Sequence, residues 1–136
     1  PALMRKVDAA ARDGADSVEI WGTGTPLREF MHVDDLADAL VFLLKEYDEA
    51  EHINVGTGEE VTIAELAQRM MGAVGYRGEL RFDSSKPDGT PRKVMDCSRL
   101  AALGWRPKYD LAAGLKQTYD WYQSELGNGH LRLGAV

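Results

Sequence analysis

The chain has 136 residues, 44% of them hydrophobic, and a formal net charge of −6. That length is one domain or part of a larger one, with enough material to bury a real core. The acidic balance excludes a general nucleic-acid binder, which carries a basic surface, and no apolar run reaches the roughly 18 residues of a membrane helix.

"PALMRKVDAAARDG" (1–14) predicts a helix, with Leu3, Val7, Ala10 and Ala11 at helical spacing and Gly14 as its stop. That helix is under way at Pro1, with no methionine or leader before it, so a fragment of a longer protein is expected. "SVEIWG" (17–22) has strand character and ends in the glycine-rich turn "GTGTP"; "LREFMHV" (27–33) alternates as a second short strand. A helix follows, in which Val33, Leu36, Ala37, Leu40, Val41, Leu44 and Tyr47 form one apolar stripe and Asp34 or Asp35 is the expected N-cap. "HINVG" (52–56) reads as a buried strand ended by glycine. Thr62 opens a capping box with Glu65, and the helix it starts buries Ile63, Leu66, Ala67, Met70, Met71 and Val74 before Gly75. "ELRFD" (79–83) is a strand, "SSKPDGTPRK" (84–93) a stiff and locally basic loop, and "KVMD" (93–96) a further short strand. "SRLAALG" is a brief helix ended by Gly104. Asp110 caps a last amphipathic helix that runs through Leu111, Leu115, Thr118, Tyr122 and Leu126. The tail, 127–136, has no periodicity and is expected to be flexible. Helices alternating with short strands indicate an α/β domain, here residues 1–126.

Few residues point to chemistry on their own. Cys97 with His32, His52 and His130 offers no zinc-type spacing, so no metal site is expected. A lone cysteine forms no internal disulfide, and a cytoplasmic setting follows as the expectation. "INVGTGEEV" has the strand–turn–helix context of a dinucleotide fingerprint, but its third glycine is missing and Glu59 and Glu60 stand where a pyrophosphate would approach. It reads as a tight turn. "WGTGTP" has no helix after it and no P-loop lysine. His32 beside Asp34 and Asp35 reads as packing where the helix starts, and Cys97 as a small buried thiol with no sequence neighbour to activate it. The informative residues are polar and scattered. Trp21 ends a strand beside two glycines, so one ring face could receive a planar ligand. Arg28 lies past the turn, and Lys86, Arg92 and Lys93 lie on the stiff loop. An aromatic platform with converging cations suits a nucleoside diphosphate, because arginine grips phosphate through two donors and lysine as a point charge.

"WGTGTPLREFMHVDDLADAL", "HINVGTGEEVTIAELAQ", "FDSSKPDGTPRKVMD" and "LGWRPKYDLAAGLKQTYDWY" together resemble the GDP-L-fucose synthase family, which are extended short-chain dehydrogenases/reductases that epimerise and reduce a 4-keto-6-deoxymannose nucleotide. The resemblance runs from Pro1 to about Leu126, and "SKPDGTPRK" is its most selective part. It implies the C-terminal substrate domain of such a protein, with the last elements of its Rossmann sheet and with the N-terminal NADP-binding half absent. On the matching positions, Trp21 would contact the nucleotide, Arg28 and Lys93 the diphosphate, Lys6 would line the pocket from its helix, and Asp88 would help hold the ligand. The family's NADP-binding glycine motif, its Ser, Tyr and Lys reduction residues and its epimerisation cysteine match nothing in this sequence. The partner histidine would stand just before Pro1, and Cys97 does not match the catalytic cysteine. The resemblance therefore implies no catalytic and no cofactor residue in this chain, which alone would be inactive. The intact protein would bind a GDP-sugar, use NADP(H), convert GDP-4-keto-6-deoxy-D-mannose to GDP-L-fucose, and form a homodimer. Neither nucleic acid nor a membrane is an expected partner. Two other readings stand beside it: the substrate half of an epimerase or dehydratase for UDP or dTDP sugars, and a free-standing nucleotide-sugar binding module.

Overall fold

The computed structural model describes residues 2–129. Helix α1 (Ala2–Asp13) leads into β1 (Ser17–Trp21), which pairs in parallel with β4 (Glu79–Asp83) in a register running from Ser17↔Glu79 to Trp21↔Asp83. Parallel neighbours need a long crossover, and the intervening chain supplies it: β2 (Leu27–Arg28), α2 (Val33–Glu46), β3 (Val61–Thr62) and α3 (Ile63–Val74). A second, three-stranded sheet has the order β3-β2-β5, with β2 antiparallel to β3 and parallel to β5 (Arg92–Lys93). Two further helices, α4 (Ser98–Ala102) and α5 (Leu111–Gly127), close the described chain.

Two apolar clusters hold these elements. In the first, Met4 and Val7 of α1, Val18 and Ile20 of β1, Ala67 and Met70 of α3, and Tyr122 of α5 pack together. Asp8 is buried beside it, which a carboxylate tolerates only when paired. Arg12 meets it at 2.9 Å, and the Tyr119 hydroxyl donates to it from α5 at 3.0 Å. In the second cluster Ala39, Leu100 and Trp105 pack with Met31, Phe42, Leu43, Ile53 and Val55.

The helix ends follow the sequence closely. Thr62 and Glu65 form the reciprocal capping box, and Gly75 ends α3 in the left-handed region at φ 81°. Asp110 caps α5 by accepting from the Ala113 amide at 2.7 Å. The start of α2 differs: His32 is the N-cap, its Nδ1 accepting from the Asp34 amide at 3.3 Å. Asp35 is drawn elsewhere, because its buried carboxylate accepts from the amides of Lys108 and Tyr109, both at 3.0 Å. The α2 stripe also faces the other way from a core-seeking helix. Val33, Leu36, Leu40, Val41 and Leu44 are exposed, Leu44 to 87%, whereas Ala39, Phe42 and Leu43 make the contacts within the chain.

Three strand expectations are corrected. "LREFMHV" pairs only over Leu27–Arg28, since the chain then turns into the α2 cap. "KVMD" yields to a strand one residue earlier, Arg92–Lys93, because it is this pair that lies in register with Leu27 and Arg28. "HINVG" joins no ladder among the described residues. Ile53 and Val55 anchor it to the second cluster through side chains alone, while its backbone finds no strand to pair with. At the other end of the chain α5 continues one residue past Leu126, to Gly127; the remainder of the expected tail from His130 on, like Pro1, lies outside the described residues.

Candidate nucleotide-sugar site

Parallel pairing of β1 with β4 puts their carboxyl ends side by side, so the turn after Trp21 and the basic loop after Asp83 leave the sheet together. Ligands of open α/β sheets bind at that end. The junction is tied by backbone: the Gly22 amide donates to the Asp83 carbonyl at 2.9 Å, and the Lys86 amide to the same carbonyl at 3.2 Å. Ser85 caps the start of the loop, donating from its amide and its hydroxyl to Asp83 Oδ1 at 3.0 and 2.6 Å. Further along, Leu27 donates to the Pro91 carbonyl at 2.8 Å, and the β2–β5 ladder sets Arg28 beside Lys93.

Two recesses result. One, of about 80 Å³, lies between Trp21, Gly24, Arg28 and the loop residues Pro87, Asp88 and Gly89. The other, of about 230 Å³, is lined by Arg28, Glu29, Met31, Val55, Lys93 and Met95. Arg28 belongs to both, so Trp21, Arg28, Asp88 and Lys93 form one contiguous group. Lys6 lines neither recess; its ammonium donates to the Glu19 carbonyl at 2.7 Å, on the strand that ends in Trp21.

Electrostatics sort the cations. Trp21 is 66% exposed, and the Lys86 ammonium stands 5.6 Å from the centre of its ring, at cation–π range. Arg92 is paired with Glu60 at 2.5 Å. Arg28 donates to the Leu27 carbonyl at 2.7 Å, and neither it nor Lys93 has an ion pair among the described residues. Arg28 and Lys93, like Lys86, are therefore open to an anionic ligand. Asp88 is engaged with the neighbouring turn, accepting from the Thr23 amide at 2.9 Å and the Thr23 hydroxyl at 2.7 Å.

Glu29 and Thr23 are structural partners that sequence reasoning passed over. Glu29 Oε1 accepts from the Gly58 amide at 2.8 Å and the Thr57 hydroxyl at 3.3 Å, and Oε2 from the Met95 amide at 3.4 Å. The turn "GTG" at 56–58 is thus already filled by a carboxylate of this chain, and a dinucleotide pyrophosphate does not fit there. No local pattern signals this, because Glu29 is nearly thirty residues from the turn it fills.

His32 is packed against the Tyr109 ring, with centroids 4.4 Å apart, and serves the α2 cap. Cys97 is half-buried; burial, with Glu29 and Asp96 adding to it, raises its thiol above the ordinary value, the opposite of an activated nucleophile. Larger cavities exist, of about 620 Å³ beside Cys97 and Trp105 and about 550 Å³ between α1, α3 and α5, but none of Lys6, Trp21, Arg28, Asp88 and Lys93 lines either.

Residues 1–56 match the NAD dependent epimerase/dehydratase family. The chain is 59% identical to GDP-L-fucose synthase 1 of Arabidopsis thaliana across 94% of its own length and 40% of that protein, and 48% identical to GDP-L-fucose synthase of Escherichia coli across 90% of itself and 41% of that protein. It spans about 40% of the length of these curated relatives. Among solved structures, a GDP-L-fucose synthetase from Naegleria fowleri bound to NADP superposes with a TM-score of 0.88 at 27% identity, covering 96% of this chain and 41% of that one. A GDP-mannoheptose C4 reductase from Campylobacter jejuni with NADP bound gives 0.79 at 40% identity, covering 90% of this chain and 44% of that one.

Proposed function

We propose that this chain, which belongs with the GDP-L-fucose synthases among the extended short-chain dehydrogenases/reductases and corresponds to their C-terminal part, is the part that grips the GDP-sugar. The observation that carries this is the position of Arg28, shared by a recess with the Trp21 ring and a recess with Lys93. A base stacks on an exposed aromatic, and a diphosphate takes a bidentate arginine and a lysine point charge. In this reading Trp21 receives the guanine side, Arg28 and Lys93 the diphosphate, and Lys6 reaches toward the same end of β1 from α1. Asp88 belongs to the wall of the pocket. The GDP of the relatives' names supports the choice of base, and "SKPDGTPRK" supplies that wall.

In the intact protein the bound sugar is GDP-4-keto-6-deoxy-D-mannose. Proton transfers at C3 and C5 need the adjacent ketone to accept the developing negative charge as an enolate, and so the pocket must hold one orientation throughout. Reduction at C4, for which NADP(H) supplies the hydride, then gives GDP-L-fucose. This chain contributes binding and orientation. No residue in it is assigned to proton transfer or to the cofactor, and alone it is inactive. In this reading the rest of the intact protein carries those roles and the contacts of a homodimer, and the protein works in the cytoplasm.

The test is a titration of the purified chain with GDP, UDP and NADPH, followed by amide shifts. Shifts specific to GDP at Trp21, Arg28 and 86–93 are expected. A preference for UDP replaces this reading with the epimerase one, and silence toward all three nucleotides removes the claim that this chain holds the pocket unaided.

A further inference from the structure

We infer that Arg92, clipped to Glu60, is a positioning residue that fixes the facing of β5 and thereby turns Lys93 toward the anion. The consequence for binding rests on the GDP-sugar reading, though the clip itself does not. Arg92 and Lys93 are consecutive cations, so an extended strand offers only one of them to a given face. The ladders decide which. Leu27 is in register with Thr62 on one side and Arg92 on the other, and Arg28 with Val61 and Lys93. Arg28, Val61 and Lys93 therefore share one face of the sheet, and Leu27, Thr62 and Arg92 the opposite one. The cavities agree: Lys93 lines the 230 Å³ recess with Arg28, whereas Arg92 and Glu60 line the 620 Å³ cavity, whose walls include neither Arg28 nor Lys93. β5 has two residues, both exposed, so no buried side chain pins its register. A slip of one residue would exchange Lys93 for Arg92 at the anion. The Leu27 amide bond to the Pro91 carbonyl holds the entry to β5 by backbone. The side-chain tie is Arg92 Nε on Glu60 Oε1 at 2.5 Å, reaching across β2 to the residue before β3. Glu60 lies two positions from Thr62, on Arg92's face by the same alternation. It thus holds one cation away from the ligand and sets the next one upon it.

The test uses E60Q, R92Q, the double variant and the reversed pair E60R with R92E, with GDP as the ligand. By charge alone, neutralising Glu60 would strengthen the binding of an anion, and so would freeing Arg92 as a further phosphate contact. The clip predicts the opposite sign. GDP affinity falls about threefold in E60Q and in R92Q, the double variant is no weaker than R92Q, and the reversed pair returns to within about twofold of wild type. In the ligand-free chain, nuclear Overhauser contacts between the β2 and β5 backbones weaken in E60Q and R92Q and return in the reversed pair. Three outcomes overturn the inference: GDP affinity in E60Q equal to or above wild type, β2–β5 contacts unchanged in both single variants, or a reversed pair that regains those contacts without regaining affinity. If the wild-type chain binds no GDP, the functional reading is what fails, and the backbone contacts alone then decide the clip.

Discussion

The carboxylate of Glu29 occupies the space that a side chain on Gly56 would need: a Cβ at position 56 would lie 2.2 Å from Glu29 Oε1 and 2.9 Å from Cys97 Sγ. Gly56 is buried and its φ is not in the left-handed region, so its requirement for glycine is one of room alone. Through it, β2 is joined to the 56–58 turn and to Met95. Gly56→Ala is expected to destabilise the fold by about 1–3 kcal/mol, the range of an overpacked site. Urea unfolding followed by circular dichroism measures it, and an unchanged midpoint would show that Glu29 can move aside without cost.

Arg28 and Lys93 differ in how they meet an anion, and their substitutions are expected to separate accordingly. Arg28→Lys keeps the charge but loses the bidentate fork, so GDP affinity falls about tenfold or more, while Lys93→Arg is tolerated within about threefold. Calorimetric titration with GDP reads both. Equal tolerance at the two positions would mean that Arg28 serves as a simple charge.

Cys97 is expected to be slow toward thiol reagents. Its thiol is raised above its ordinary value by burial first, and then by Glu29 and Asp96, so less thiolate is present at neutral pH than in a free cysteine. The sign for stability follows from the same shift. An acid whose folded value lies above its unfolded one stabilises the fold fully below the unfolded value, and that contribution is lost as pH rises through the folded value. Alkylation rates between pH 7 and 10, against a cysteine peptide, check this; a faster rate than the peptide at pH 7 would refute it.

The outward stripe of α2 is expected to drive association of the chain in solution. Val33, Leu36, Leu40, Val41 and Leu44 make an apolar face, and the 52–56 segment, which joins no ladder among the described residues, is anchored next to the same helix; both features invite partners. Sedimentation velocity should find self-association that Leu40→Glu with Leu44→Glu reduces without unfolding α2. A wild-type chain that stays monomeric at high concentration would count against it.

Local chemistry was readable wherever a residue acts on its own neighbourhood. The capping box of Thr62 and Glu65, the left-handed Gly75, and Asp110 at the start of α5 all depend on atoms within three or four residues. The same reach explains why the apolar spacings of α1, α3 and α5 located helices correctly. Strands were less legible, because Leu27–Arg28, Val61–Thr62 and Arg92–Lys93 are strands by virtue of one another, and "HINVG" has the composition of a strand but joins no ladder among the described residues.

The group around Arg28 divides along the same line. That this chain carries an exposed tryptophan, a basic proline-bounded loop and an arginine after a glycine turn follows from residue order and backbone preference. That Arg28 stands between Trp21 and Lys93, that Asp88 reaches Thr23 across 65 positions, and that Glu29 fills the turn at 56–58 follows from the folded chain. Parallel pairing of β1 with β4 and of β2 with β5 joins segments whose separation in sequence carries no signal of their contact. The physical reason is range: caps and turns are settled by bonds within one turn of chain, whereas a hydrogen-bonded carboxylate meets its partner only after a long loop has closed and its entropy has been lost.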